Sequence, residues 1–392
     1  MREMKDSGIE WIGRIPIAWK LNKIGAIYEE RNTKVSDSEY EPLSVTKQGI
    51  VPQLETAAKT DNGDNRKLIL KNDFVINSRS DRRGSCGISE YDGSCSLINT
   101  VLKPRGNMNN KYYSFVFKSD NFADEFYRWG HGIVNDLWST KWSDMKNIYI
   151  PSPTIDEQKR IADYLDEKCA KIDAIIEKQQ EIIEKLKEYK LSVITEAVTK
   201  GLNPNVEMKD TGVEWIGEIP AHWSLVKAKY YVDITNGSDP KEEGDIPVYG
   251  SGEKSFKTCG EYKEGPCVLI GRKGATLNIP HYIMGKYWNV DTAFDVKTKK
   301  GMLLKYYFYL ANCFDYNRFI SQTTLPGMTQ TNYNNMLLPV PSIDEQEDIV
   351  RYVDEKVKKI DCVLDNCLKL VDNNANYKRS LIYEVVTGKR EV

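Results

Sequence analysis

Residues 6–19, DSGIEWIGRIPIAW, return as residues 210–223, DTGVEWIGEIPAHW, 204 positions further along the chain. A second block, PSPTIDEQ at residues 151–158, returns as PVPSIDEQ at residues 339–346, which is 188 positions further on. Solenoid repeats have periods of about 20–50 residues, so this long period indicates a duplicated domain. The chain is therefore predicted to hold two copies of one module, related by an approximate internal two-fold axis.

The two copies share the repeated blocks and differ in the residues between those blocks. Between the repeated blocks the halves have little identity, and the unequal shifts make the first globular part longer than the second. Two related modules suit a target that also has two related halves, of which double-stranded DNA is the obvious one. This pattern favours two copies that do the same job on different targets.

Bulk composition is that of an ordinary soluble protein. The 392 residues suffice for two domains, with 40% hydrophobic and 29% charged residues. The sequence has neither an apolar run of about 18 residues nor an apolar N-terminal signal region, so we expect a cytoplasmic protein without membrane contact. The net charge of −2 predicts that any basic surface is local and that other surfaces meet protein partners.

Residues suited to catalysis or metal binding are sparse. The eight cysteines include no Cys-x-x-Cys and the three histidines are far apart, so we expect reduced thiols and no metal site. Adenine methyltransferases need an Asp/Asn-Pro-Pro-aromatic motif, and this sequence has no Pro-Pro pair. It also has no Walker lysine motif. The glycines in residues 248–252 are too short a pattern to indicate a cofactor loop. We expect no catalytic residue in this chain.

Four segments follow from the repeats. Residues 1–150 and 204–338 are predicted to be mixed globular domains, with strands at 67–70, 73–77, 267–270 and 293–296. Residues 151–203 and 339–392 each contain a long helix. A capping box opens each helix, at residues 154–157 and 342–345, and a glycine follows each. The first helix, 155–200, would be about 69 Å long at ~1.5 Å per residue.

Apolar residues recur in both helices at alternating steps of four and three, which predicts a coiled-coil seam. The helix–helix interface is predicted at Leu165, Ile172, Ile176, Ile183, Leu186 and Val193, and at Val353, Val357, Ile360, Leu364, Val371 and Leu381.

Each helix is the simplest partner for the other. An antiparallel pair keeps the two-fold symmetry and brings the end of the second helix close to the first block, whereas a parallel pair loses the symmetry. Polar seam residues would fix the register at some cost in stability, and these are Gln179, Lys190, Asn374 and Lys378. The predicted fold is α+β: two similar mixed α/β domains, each followed by a long helix, with the helices forming an antiparallel coiled coil.

The ordered set of paired blocks resembles the DNA specificity subunit of type I restriction-modification systems over essentially the whole chain. The second globular part adds residues 246–252 (IPVYGSG), 268–274 (VLIGRKG), 288–293 (WNVDTA) and 325–331 (LPGMTQT), which look like that family's target-recognition domains. The first part has looser equivalents at residues 73–79, 98–101 and 132–138.

The resemblance implies a non-catalytic role. Each globular part would be a target-recognition domain that reads one half of a bipartite site in double-stranded DNA. The helices would set the spacer and dock two methyltransferase subunits, which bind S-adenosylmethionine and methylate adenine. A motor-nuclease (restriction) subunit, which binds ATP and Mg, would join for cleavage. No cofactor would bind to this chain itself.

Base and phosphate contacts call for Arg, Lys, Asn and Gln on loops. In the second half the candidates are Arg272 and Lys273, in a glycine-flanked turn, and then Thr329, Gln330 and Asn332. In the first half they are Arg79, Arg82 and Arg83, followed by Trp138 and Lys141. The alternative interpretation is an ordinary surface turn, or a core position for Trp138.

Other interpretations stay open at this point. One is a self-contained methyltransferase or nuclease, against which the missing motifs count. Another is a coiled-coil scaffold, which leaves two divergent globular parts unexplained. A third is the specificity subunit of a simpler restriction system in which cleavage and methylation are fused.

Overall fold

A computed structural model describes residues 2–54, 63–132, 138–252, 254–320 and 326–392. It divides into two compact units. Unit 1 comprises residues 1–179 with 369–392, and unit 2 comprises residues 180–368. Both boundaries fall inside the long helices, so each unit contains one half of each helix.

The globular part of unit 1 is built from short strands and four helices, followed by the first long helix. The elements are β1 (Met4–Asp6), β2 (Arg14–Pro16), β3 (Lys20–Lys23), α1 (Ile24–Ile27), β4 (Tyr28–Glu30), β5 (Lys34–Val35), β6 (Leu43–Thr46), β7 (Gly49–Pro52), β8 (Arg66–Ile69), β9 (Phe74–Asn77), β10 (Cys86–Ile88), β11 (Gly93–Cys95), β12 (Asn99–Pro104), α2 (Asn110–Lys118), α3 (Asp120–Arg128), α4 (Trp142–Met145), β13 (Tyr149–Ser152) and α5 (Ile155–Lys200).

The globular part of unit 2 repeats this plan and is followed by the second long helix. Its elements are β14 (Met208–Asp210), β15 (Glu218–Pro220), β16 (Ser224–Lys227), β17 (Val232–Asn236), β18 (Ile246–Tyr249), β19 (Lys257–Cys259), β20 (Lys263–Glu264), β21 (Cys267–Gly271), β22 (His281–Ile283), β23 (Lys286–Asn289), β24 (Ala293–Thr298), α6 (Leu304–Asn312), α7 (Gln330–Asn335), β25 (Leu337–Val340) and α8 (Ile343–Val386).

The main sheet has the same order and register in both units. In unit 1 the order is β10-β9-β12-β4, and in unit 2 it is β22-β21-β24-β17, with antiparallel neighbours throughout. Asn99 pairs with Asn77 in unit 1, and Ala293 pairs with Gly271 in unit 2, so one and the same shift along the chain relates both partners. The duplication predicted from the repeated blocks therefore extends to the residues between them, although their sequences differ.

The repeated opening block is a packing element in each unit. Met4 pairs with Pro16, and Met208 pairs with Pro220, in equivalent antiparallel ribbons. Of the four tryptophans in these blocks, Trp11, Trp19 and Trp223 are buried, and Trp215 is half-buried against Phe314. These tryptophans therefore pack within their own units.

Both long helices begin where the capping boxes predict. The Thr154 hydroxyl accepts a hydrogen bond from the Glu157 amide at 3.4 Å, and Ser342 does the same for Glu345 at 3.3 Å. Each helix is followed by a glycine in the left-handed region, with φ of +72° at Gly201. Both helices are too polar to cross a membrane, and no other helix in the described ranges qualifies.

The helix halves run antiparallel within each unit. In unit 1, Leu165 near the start of α5 shares a core with Leu381 near the end of α8. In unit 2, Ile194 near the end of α5 shares a core with Val353 near the start of α8. All twelve interface residues predicted from the sequence are buried or half-buried.

Two of the predicted polar seam residues form ion pairs between the helices. In unit 2 the Lys190 ammonium lies 2.7 Å from the Asp361 carboxylate, and in unit 1 Lys378 lies 2.6 Å from Asp173. The two pairs are equivalent. The shift between the PxPxIDEQ blocks carries Asp173 onto Asp361 and Lys190 onto Lys378. The end of α8 also meets the opening block as predicted, because the Tyr383 hydroxyl donates to the Trp11 carbonyl at 3.1 Å.

We expect the Lys190–Asp361 pair to stabilise one register of the helix pair. Lys190→Asp or Asp361→Lys alone should lower the free energy of unfolding by only about 1 kcal/mol, because both partners are partly exposed. The double exchange should restore most of this loss, since it again places opposite charges together. Urea unfolding of the four chains measures the coupling. The same cycle on Lys187 and Glu184, an exposed pair within α5, should give about 0.5 kcal/mol or less. Equal couplings for both cycles would contradict a register role.

Candidate nucleic-acid interface

The two candidate segments of unit 2 lie side by side. Strand β21 ends at Gly271, and the turn that follows carries Arg272 and Lys273. The Gly274 amide donates to the Pro326 carbonyl at 3.0 Å, and the Met328 amide donates to the Arg272 carbonyl at 2.9 Å. The turn is therefore held against the segment that leads into α7, and residues far apart in sequence form one surface.

Glycine is required where this turn begins. A Cβ atom on Gly271 would overlap the main chain of Leu277, because the turn folds back over the strand end. The Gly271 carbonyl also accepts a hydrogen bond from the Tyr333 hydroxyl at 2.7 Å. Burial raises the pKa of Tyr333, so this hydroxyl stays a proton donor at neutral pH.

The basic side chains of this turn are half-exposed and lie beside acidic or aromatic neighbours. Arg272 donates to the Asp291 carbonyl at 3.4 Å, and its guanidinium carbon lies 5.7 Å from the centre of the Phe294 ring. The Lys273 ammonium lies 3.6 Å from the Asp291 carboxylate. Both side chains are thus held in place at the edge of the turn by residues 291 and 294.

The candidates at the start of α7 have local tasks. Thr329 is the N-cap residue of α7 and accepts a hydrogen bond from the Asn332 amide at 3.1 Å. Gln330 donates to the Ile234 carbonyl at 2.6 Å, and the Asn332 side chain donates to the Phe319 carbonyl at 3.3 Å. The Gln330 bond ties the start of α7 to β17 and uses one of the two N–H groups of its side-chain amide.

Unit 1 brings its own candidates together by the same backbone pattern. The Ser80 amide donates to the Trp138 carbonyl at 3.0 Å, and the Thr140 amide donates to the Ser78 carbonyl at 3.0 Å. The shift that relates the two main sheets carries residues 78 and 80 onto residues 272 and 274. The shift between the PxPxIDEQ blocks carries residues 138 and 140 onto residues 326 and 328. Lys141, directly before α4, is therefore the counterpart of Thr329, directly before α7.

Each arginine of the first turn has a carboxylate neighbour. Arg79 and Arg82 lie 3.2 and 3.6 Å from Asp81, and Arg83 lies 2.6 Å from Asp124. Sequence reasoning identified the arginines and missed these partners. Asp81 sits within the same turn and could have been noticed, whereas Asp124 reaches it from α3, which sequence spacing does not reveal.

Trp138 and Lys141 differ in exposure. The Trp138 indole is half-buried and donates to the Tyr127 carbonyl at 2.7 Å, so part of this side chain packs inside the unit. Lys141 is exposed. Residues 133–137 of the matching sequence motif, and residue 325 of its counterpart in unit 2, lie outside the described residues.

Groups for metal chemistry are not assembled in the part of the chain that the structure describes. No cluster of three or more His, Cys, Asp or Glu side chains there could hold a metal ion. All eight cysteines are free thiols.

The family model for the type I restriction modification DNA specificity domain matches residues 16–192 and 228–363. These ranges cover most of the chain, which therefore belongs to this family of specificity subunits.

Two relatives from Methanocaldococcus jannaschii are similar to this chain. The type I restriction enzyme MjaVIII specificity subunit is 25% identical over 279 residues, 63% of this chain and 63% of the relative, so the match spans less than two thirds of that protein. The putative type I restriction enzyme MjaX specificity subunit is 21% identical over 97% of this chain and 96% of its own length.

Solved structures share the fold. A chain from a study of complex assembly and conformational transition of the type I R-M system superposes with a TM-score of 0.73, covering 96% of this chain and 99% of that one at 14% identity. The HsdS subunit from Thermoanaerobacter tengcongensis superposes with a TM-score of 0.50, covering 96% and 98% of the two chains at 14% identity. The predicted α+β fold is confirmed.

The tight turn after β21 predicts a sharp difference between two glycines. Gly271→Ala should lower the free energy of unfolding by about 2 kcal/mol, because the added methyl group overlaps the Leu277 main chain. Gly252→Ala is the matched control, since its Cβ atom would meet open space, and its effect should stay within about 0.5 kcal/mol. Urea unfolding measures both. Similar losses for the two variants would mean that the turn is not closely packed.

Proposed function

We propose that this chain is the DNA-binding specificity subunit of a type I restriction-modification complex. Each unit reads one half of a bipartite site in double-stranded DNA. The long helices set the distance between the half-sites and dock two methyltransferase subunits. Those subunits supply S-adenosylmethionine and adenine methylation, and a motor-nuclease subunit with ATP and Mg supplies cleavage in the cytoplasm. The chain itself carries out no catalysis.

The equivalence of the two candidate surfaces supports this proposal most directly. In each unit the same backbone hydrogen bonds join the turn after a central strand to the segment before a short helix. The side chains on that frame differ: three arginines follow β9, and one arginine and one lysine follow β21. A constant frame with different polar side chains is what recognition of two different half-sites requires.

An apolar stripe repeated on both long helices supports the docking of partner subunits. In unit 2 the exposed side chains are Ile182 and Tyr189 on α5 and Val363 on α8. In unit 1 they are Ile175 on α5 and Leu370 and Tyr377 on α8, and the shift between the PxPxIDEQ blocks gives each a counterpart in the other helix. Within each helix the positions are one heptad apart, the spacing of a helix-binding seam. Two equivalent stripes suit two copies of one partner.

The proposal predicts a split methylation motif that depends on this chain. Single-molecule sequencing of DNA from cells expressing the chain with its methyltransferase partner should find N6-methyladenine in both halves of one bipartite motif, absent without the chain. Arg272→Ala should relax one base position in one half-site by about tenfold and leave the other half-site unchanged. Methylation that persists without the chain would overturn the proposed function. A loss of discrimination in both half-sites would contradict separate recognition by the two units.

The apolar stripe predicts a separable docking defect. Ile182→Glu and Leu370→Glu should each reduce capture of the methyltransferase subunit by about thirtyfold, because a charge would replace an apolar anchor. Both side chains are exposed, so the chain should fold normally. Leu191→Glu is the matched control: Leu191 is similarly exposed on α5 but lies two and a half turns beyond Ile182, on the opposite side of the helix. Equal losses for all three variants, measured by titration calorimetry, would contradict the stripe as the docking surface.

A further inference from the structure

Strands β6 and β7 form a separate two-stranded ribbon in unit 1, with exposed Lys47 and Gln48 as its two-residue turn. The turn is held firmly. The Thr46 hydroxyl donates to the Gly49 carbonyl at 2.9 Å and accepts a hydrogen bond from the Gln48 amide at 3.2 Å. Gly49, at a φ of +130°, closes the turn in a conformation that favours glycine. The ribbon therefore presents two polar side chains on a fixed support.

Residues of this ribbon and of the arginine turn line one cleft of about 620 Å³. Thr46 and Lys47 belong to the lining together with Asp81, Arg82 and Asn77, and Gln48 follows Lys47 at the edge of the ribbon's turn. Clefts of about 300–1,000 Å³ are typical of ligand sites. The ribbon and the arginine turn thus border one polar surface rather than two separate ones.

Lys47 and Gln48 differ from the arginines in their present contacts. Arg79, Arg82 and Arg83 each have a carboxylate within ion-pair distance. With the described residues, the side chains of Lys47 and Gln48 form neither a hydrogen bond nor an ion pair. A DNA contact by these two side chains would therefore break no hydrogen bond or ion pair with the described residues, whereas a contact by the arginines must compete with their own carboxylates.

Unit 2 has a counterpart of the ribbon in the same place. In unit 1, Pro42, just before β6, forms a parallel bridge with Ser94. In unit 2, Val248 of β18 pairs in parallel with Trp288. Trp288 is the counterpart of Ser94 by the shift that relates the two main sheets. Strands β18 and β19 pair as β6 and β7 do. Their connection, residues 250–256, is longer and carries exposed Phe256 in place of the Lys-Gln turn. The element is thus shared, and its tip is different in the two units.

We propose that the β6–β7 ribbon is a second base-reading element of unit 1, in which Gln48 recognises an adenine in the major groove and Lys47 contacts an adjacent phosphate. This inference rests on the proposed function. A two-stranded ribbon fits the major groove, and a glutamine amide pairs with N6 and N7 of adenine. The ammonium of Lys47 serves as a positioning contact, without sequence preference.

The test is an exchange of specificity at one position. With the wild-type motif known, and the half-site of unit 2 assigned by Arg272→Ala, Gln48→Ala should reduce discrimination for an adenine in the other half-site by about tenfold. Gln48→Arg should shift the preference at that same position to guanine. Lys47→Ala should weaken binding to all sequences and reduce the salt slope by about one charge. Gln180→Ala, an exposed glutamine on α5, is the matched control and should change nothing.

The outcomes separate the two proposals. If the wild-type chain confers no motif, the proposed function fails and the ribbon falls with it. If the wild-type motif is present and Gln48→Arg leaves both half-sites unchanged, the ribbon proposal is overturned while the proposed function stands. A change in the half-site of unit 2 on substitution of Gln48 would also overturn it. Because Gln48 is exposed, loss of folding is not expected, and the thermal unfolding midpoint of each variant checks this.

Discussion

Lysine–aspartate pairs join the antiparallel helix halves of each unit at one register. Lys378 meets Asp173 in unit 1, and Lys190 meets Asp361 in unit 2, with each lysine at a seam position otherwise filled by apolar side chains. A slip of one heptad in one direction would bring Leu368 opposite Lys190 and Gln180 opposite Lys378, so each ammonium would lose its carboxylate. A slip in the other direction would bring Asp354 and Asp166 opposite the two lysines. The pairs therefore favour this register over a slip in the first direction, and the apolar seam has to select against the other.

The same frame carries this register into the globular parts. In unit 1 the Tyr112 hydroxyl donates to the Val386 carbonyl in the last turn of α8, and in unit 2 Tyr306 donates to Val198 near the end of α5, both at 3.0 Å. Burial raises the pKa of both tyrosines, so they remain donors at physiological pH. Each sheet is thereby anchored to a helix end, and the turns at its strand ends inherit a fixed position.

Much of this frame is predictable from the sequence, because the physics that sets it is local or periodic. Capping boxes, heptads and the two repeated blocks predict both helices and the duplication. What the sequence does not reveal depends on contacts between distant segments. Asp173 looks like any other solvated helix residue until Lys378 lies opposite it. Strands β6 and β7 escape prediction because LSVT and GIVP lack the three consecutive apolar side chains that indicate the strands at residues 67–70 and 73–77.

The carboxylates beside the candidate arginines bear on how specificity arises. Non-specific DNA binding is driven by basic residues releasing counterions from phosphates. In this chain, of net charge −2, Arg79 and Arg82 already face Asp81, so a phosphate contact by either arginine would compete with that carboxylate. Under the proposed function, contacts that only the correct bases offer would have to compensate for ion pairs broken inside the unit. On that proposal, the fewer phosphate contacts are free of internal carboxylates, the larger the share of the binding free energy that a small number of base contacts would decide.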